Sequence, residues 1–278
     1  MSPDEAPPRP VPARPSPIGV GELERVMARG WPAVETDGLG DWVLRASSGF
    51  TGRGNSLLPY GDPTLPLPLA VDHATRWYAQ RGLPLRVHVD LPRGLGGTPS
   101  LTEAVAAVPV GAELLSRGHV AHQPTLTMVG ASADVPPPPD PPAAPPVTVD
   151  ARLTTDWLQA YARQRDLVPG VTEQVLTGSA GQLFASAGDP RRPVAVARMS
   201  VEPGWAGVHA MWVDPEHRRT GVGSAVLGAL ALLAREHGMP GMVLQVEAGN
   251  VAARALYERL GFTVHHTYAY VDAPAQDR

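Results

Sequence analysis

The chain has 278 residues, 43% of them hydrophobic and 18% charged, with a net charge of −4 and a pI near 6.1. It is long enough for two domains of ordinary size and carries no general attraction for nucleic acid or an anionic membrane. It contains no Cys, and all 23 basic residues are Arg, which excludes disulfides, thiolate zinc sites, a cysteine nucleophile, Schiff-base lysines and the P-loop lysine.

Residues 1–17 hold seven prolines and are predicted to be disordered. They lack the apolar core of a signal peptide, and no window has the ~18–20 apolar residues of a membrane span, so a cytoplasmic protein is expected. Residues 18–130 form a first folded unit in which WVLRASSGFTGRGNSLLP is dense in Gly, Ser and Arg. The segment ASADVPPPPDPPAAPP at 131–146 contains eight prolines. It reads as too proline-rich to pack, a stiff spacer that cuts the chain in two.

The second unit, 147–273, alternates its elements. A strand at 147–153 and a helix at 154–166 precede a meander of strands at 182–188, 193–201 and 207–213, joined by GDPRR and EPGWAG turns. GVGSAVLGALALLAREHG is apolar around most of its girth and must pack on a sheet, and MVLQVE at 242–247 is a buried strand. NVAARALYERLGF carries the i, i+3, i+4, i+7 stripe of a helix at Ala253, Leu256, Tyr257 and Leu260, with Gly261 at its C-terminal cap. TVHHTYAYVD closes as an alternating strand.

The first unit echoes this plan. Pro59 and Gly82 match Pro215 and Gly238 in sequence context, and AELLSRGHVAH matches ALYERLGFTVH, placing Gly118 against Gly261. The pattern is that of a decayed internal duplication. Asp62, Leu65 and Leu67 stand in the first copy where Arg218, Gly221 and Gly223 stand in the second, and Leu114 stands for Tyr257.

The stretch VDPEHRRTGVGSAVL puts two arginines and a Gly-x-Gly at a helix start with no acidic residue in the first turn. Such a start exposes up to four unpaired N–H groups, an anion site if side chains stay clear. By itself Gly-x-Gly also describes a tight turn beside a solvated Arg pair. A P-loop needs Gly-Lys-Ser/Thr, and a dinucleotide fingerprint needs a small residue where Val226 stands. Neither is present.

Arg218-Arg219-Thr220-Gly221-Val222-Gly223 after a Val-Asp-Pro strand end, then LQVEAGN, then ALYERLGF, closely resembles the GCN5-related N-acetyltransferase (GNAT) family over Val147 to Asp272. The resemblance implies two GNAT-like α/β domains, each a mixed, mostly antiparallel central sheet flanked by helices, the first degenerate and the second catalytic. It implies an acetyl-CoA-dependent N-acetyltransferase acting on a primary amine, of a small molecule or a peptide or protein, by direct attack in a ternary complex. Acetyl-CoA is the expected co-substrate, with no metal, nucleic acid or membrane partner.

By that resemblance the loop from Arg218 through Thr220, Gly221, Val222 and Gly223 to Ser224 holds the pyrophosphate, and Met211, Trp212 and Val213 offer backbone groups to the pantetheine arm. Asn250 contacts the cofactor, and Tyr257 lies near the thioester sulfur. A phenol of pKa ~10 can protonate the departing thiolate, which makes Tyr257 the expected acid. Many family members carry a Glu where Gln245 stands, so the base is left among Glu247, His209 and a water chain. His265 and His266 suggest a metal, but no second ligand cluster with zinc spacing follows them in sequence. The first unit is expected to wall a substrate groove and to bind no CoA. The opposing reading is a CoA-binding sensor or assembly module that has lost turnover, favoured by Gln245.

Overall fold

The computed structural model describes residues 14–92, 100–138 and 144–274. Most of the segment expected to be disordered, and residues 139–143 of the expected spacer, lie outside them. In chain order the first half contains α1 (Val20–Gly30), β1 (Glu35–Leu39), β2 (Trp42–Ala46), α2 (Leu67–Ala79), β3 (Arg86–Leu91), α3 (Leu101–Ala106), α4 (Pro109–Ser116) and β4 (Val120–Ala131). The second contains β5 (Val147–Asp150), α5 (Thr155–Ala162), α6 (Val171–Thr177), β6 (Gln182–Asp189), β7 (Arg192–Glu202), β8 (Trp205–Val213), α7 (Val222–Glu236), β9 (Gly241–Glu247), α8 (Val251–Arg259) and β10 (Thr263–Asp272).

The halves do not build separate central sheets as the sequence predicts. Among the described residues, eight strands form one sheet in the order β3-β10-β4-β9-β8-β7-β6-β5, and only the β1-β2 hairpin stands apart. The final strand of each half has crossed over: β10 is inserted between β3 and β4, and β4 pairs antiparallel with β9. Each half therefore supplies the strand that covers the open edge of the other, which removes exposed ladder groups without a second sheet.

The repeat seen in sequence has a structural counterpart. Gly82, Gly118, Gly238 and Gly261 follow α2, α4, α7 and α8, all with positive φ between 65° and 87°. In each case the next residue's N–H reaches back to the helix, as Leu83 does to Tyr78 and Met239 to Ala234. Only glycine enters that left-handed turn without strain, so the pattern marks four helix-to-strand corners.

Two large cores lie on the sheet, one under α7 with Val226, Leu230 and Leu244, the other under α2 with Val71, Trp77 and Val87. α7 is apolar around its girth because it is covered on both sides. Its outer flank meets the segment expected not to pack. Val135 is buried, a Cβ on Gly228 would strike the Pro136 carbonyl at 2.7 Å, and Arg235 donates to the carbonyls of Ser132 and Val135. Proline lacks an N–H, but its ring still packs and its carbonyl still accepts; the described part of this segment is a strap along α7 instead of a spacer. The helix expected over 154–166 ends at Ala162, and α6 is an addition the sequence pattern did not announce. No described helix is long and apolar enough to cross a membrane.

Candidate active site

α7 starts bare. Its N-cap, Gly221, is left-handed at φ 87°, makes no side-chain cap bond, and has no acidic residue after it in the first turn. A Cβ built on Gly221 meets nothing within 4 Å, so the amides open on free space. Asp214, upstream of the loop, is turned to the amide of Glu216 and to Arg163. Arg218, held by a 3.2 Å bond from its Nε to the Val213 carbonyl, lines the same cleft with Arg219. Unpaired N–H groups, a helix dipole and two guanidiniums make an anion cradle suited to a pyrophosphate.

The cleft, about 510 Å³, runs from this loop between β8 and α8. It exists because the parallel β8-β9 pairing stops at Val208↔Leu244 while both strands continue, β8 through a left-handed Ala210 at φ 51°. Beyond Val208 the unpaired β8 groups face the gap. Met211, Val213, Gly223, Ser224, Asn250 and Tyr257 border it as the sequence implied. Trp212 and Val222, expected to offer backbone groups, bury their side chains in hydrophobic cores, and Trp212 is paired with Val196 of β7. Thr220 binds the His217 carbonyl through its hydroxyl.

A second cavity, about 530 Å³, opens in the splay. Gln164, Met211, Asn250 and Tyr257 border both. The Tyr257 hydroxyl points at Met211 Sδ at 3.7 Å, and burial pushes its pKa up to about 12. The phenol keeps its proton at neutral pH. Asn250 spends its Oδ1 on the N-cap bond to Ala253 N, so its amide NH₂ is the group left for a ligand.

The other wall comes from the first half, as its Gly/Ser/Arg-rich stretch suggested. Asn55 accepts from the amides of Ser47 and Gly49 and donates to the carbonyls of Phe50 and Thr51, pinning a tight loop that presents Arg53. The Arg53 guanidinium stacks over Trp31 at 5.2 Å and donates to Gln245 Oε1 at 3.3 Å. It also faces His209 Nδ1 at 3.5 Å. Arg86, tied to Asp272, together with Tyr268 and Tyr270 completes that side. Sequence reasoning missed these residues individually. Only the loop's composition hinted at them.

The base candidates separate clearly. Arg53 can only donate, so Nδ1 of His209 accepts and its Nε2–H is left for Ser200 Oγ at 3.1 Å; the one lone pair is taken. Burial, then Arg198 and Arg53, hold its pKa well below the usual imidazole value. Glu247 is exposed at the cavity rim and accepts from Gln123 Nε2 at 2.7 Å. Gln245, at the place of the family's usual Glu, donates to both oxygens of Glu24 at 2.9 Å. Burial alone would raise the Glu24 pKa, but His88, His266 and the Thr127 hydroxyl bring it down to about 2.

A splayed mixed sheet, a bare anion loop and a protonated tyrosine at the meeting of two cavities define a GNAT N-acetyltransferase. The chain belongs to the family described as "Probable histone acetyltransferase Rv0428c C-terminal", whose model matches residues 19–271. It is 25% identical over 261 residues to the uncharacterized N-acetyltransferase YobR of Bacillus subtilis, covering 88% of this chain and 94% of that protein. An L-methionine sulfoximine/L-methionine sulfone acetyltransferase of Pseudomonas paraeruginosa is 36% identical over 118 residues, 42% of this chain and 62% of that one. In fold, the chain is similar to a GCN5-related N-acetyltransferase from Kribbella flavida, with TM-score 0.65 at 17% identity over 94% of this chain and 98% of that one. A tandem GNAT protein from the clavulanic acid biosynthesis pathway aligns with TM-score 0.56 at 14% identity over 96% and 91% of the two chains.

Proposed function

We propose that this enzyme transfers an acetyl group from acetyl-CoA to an amine by direct attack in a ternary complex. The observation that carries the reading is the junction of the two cavities at Met211, Asn250 and Tyr257: one cavity leads to the anion loop, the other to a polar chamber walled by both halves. Acetyl-CoA supplies the activated acyl group. The amides from Gly221 to Ser224 with Arg218 and Arg219 grip its pyrophosphate, and the backbone groups of Met211–Val213 that neither β7 nor Arg218 engages hold the pantetheine arm.

The amine nitrogen attacks the thioester carbonyl carbon from the polar chamber as the C–S bond breaks. Its surplus proton leaves through Glu247, directly or by way of water, because the lone pair of His209 is engaged. Tyr257 gives its proton to the departing thiolate, and bulk water restores it. With no Cys in the chain and, among the described residues, no hydroxyl paired with a free base in the chamber, a covalent acetyl-enzyme is not part of this scheme.

Gln245 favours the alternative of a CoA-binding module without turnover, since its amide cannot take a proton. The test is thiol release from acetyl-CoA across a broad amine panel, alongside calorimetric binding of the cofactor. Release above background with at least one amine is expected. Tight binding with release at background for every amine assigns the module instead.

A further inference from the structure

Beneath α1, at the seam where β3 of the first half pairs with β10 of the second, side chains from three elements converge. Glu24, His88 and His266 are all buried, with one ligand atom of each within 4.8 Å of the others. His266 Nε2 stands 3.0 Å from Glu24 Oε1, and His88 Nε2 3.9 Å from Glu24 Oε2. Asp90 adds an oxygen 3.2 Å from His88 Nε2 and 3.9 Å from His266 Nε2. Ligand atoms held ~2.0–2.1 Å from one tetrahedral zinc ion are themselves ~3.3 Å apart. The separations of 3.0 to 3.9 Å between these atoms bracket that spacing.

The hydrogen bonds around the cluster are compatible with that geometry. His265 Nε2 lies 3.0 Å from the Ile18 carbonyl, which can only accept, so Nε2 carries a proton. The Nδ1 of a neutral His265 then accepts, and its neighbour at 2.8 Å, His266 Nδ1, is the donor. His266 Nε2 faces a carboxylate oxygen at hydrogen-bond distance, a contact that either a second ring proton or a metal ion between them satisfies. The surrounding contacts are those of a ligand shell: His266 donates its far N–H, Thr127 and Gln245 donate to Glu24, and Tyr60 donates to Asp90. Metal-bound imidazoles and carboxylates are held in just this way.

We propose that Glu24, His88 and His266, with Asp90 completing the set, bind one divalent transition-metal ion of the zinc class, which fastens the first half of the chain to the last strand of the second. Two imidazoles and two carboxylates, with no thiolate, suit zinc. The role is structural, because the cluster is buried and borders neither cavity. Through Gln245, which spans Glu24 and Arg53, the ion also fixes the wall of the polar chamber.

The test uses full-length, tag-free protein from zinc-supplemented growth. Elemental analysis is expected to find one zinc per chain that survives dialysis, and His266→Gln and Glu24→Gln are each expected to lose it with a fall in Tm. Gln245→Leu, which removes a partner of Glu24, should weaken zinc affinity ~10–100-fold. Where a variant does not fold, wild-type protein unfolded in chelator and refolded with Co²⁺ decides, since a four-coordinate site gives visible d–d bands. Wild-type protein without metal, whose Tm is the same refolded with or without Zn²⁺ and which shows no cobalt bands, overturns the proposal and leaves a proton-bridged ion pair. Zinc retained in full by folded His266→Gln also overturns it, by placing the ion elsewhere.

Discussion

The helices that begin at Val222 and at Leu67 occupy matching places in the two halves, yet only one can receive an anion. α7 opens on a left-handed glycine with its amides clear. α2 opens behind Pro66 with Pro68 in its first turn, so an amide donor is missing where the other helix offers one. Asp62, which stands where Arg218 would be, accepts from the Thr64 amide and puts negative charge at the entrance. Two stretches that end in the same glycine corner differ in chemistry through a handful of residues at one helix end, which is why fold alone does not assign activity.

The sharpest way to break this division of labour is Tyr257→Phe, which keeps the ring and removes the acid. Turnover should fall about 10²-fold with the KM for acetyl-CoA nearly unchanged, measured by thiol release; full activity would remove Tyr257 from the chemistry. Next is Gly221→Val. Nothing in the protein obstructs the new side chain, so the effect comes from a backbone at φ 87°, costing ~1–2 kcal/mol for an L-residue, and from a methyl-bearing carbon over the amides. Acetyl-CoA binding should weaken roughly tenfold or more by calorimetry, and wild-type affinity would dismiss the pyrophosphate site.

Arg53→Ala tests the contribution of the first half. Loss of one charge-assisted contact, about 1.5 kcal/mol, should raise the acceptor KM roughly tenfold in steady-state kinetics while the acetyl-CoA KM holds. If the acetyl-CoA KM moves instead, the chamber and the cofactor cleft have been assigned the wrong way round. The smallest expected effect is the most pointed: Asp62→Arg/Leu65→Gly/Leu67→Gly restores the loop residues in the first half but leaves both prolines. Calorimetry should still count a single acetyl-CoA per chain, and a second equivalent would show that those three residues, not the prolines, silence that helix.

Much of the second half was legible because each of its signals is local. The alternating TVHHTYAYVD is β10 from end to end, and the glycines flanking α7 and α8 fall at real corners. The uncapped start of α7 was legible for the same reason, as a spacing within one short stretch. The crossed strands were not, since alternation tells a strand which face to bury and says nothing about its neighbour. Arg53, Arg86 and Tyr268 escaped because the chamber is assembled across the exchange. The adjacent His265 and His266 drew notice in sequence, but the partners of His266, Glu24 and His88, arrive from a helix and a strand far away in the chain. Trp212 and Val222 were expected to offer backbone groups only, and their side chains lie in hydrophobic cores.

The exchanged strands also govern how the chain can be made. The Arg86–Asp272 pair joins residues 186 apart, and β4 is flanked on both sides by β9 and β10, neither of which has been synthesised when it leaves the ribosome. The first half therefore emerges with its ladder open and must wait, shielded or loosely collapsed, until residues 263–272 arrive to be threaded between β3 and β4. A stop codon that removed only that last strand would leave two sheet edges unfinished at once.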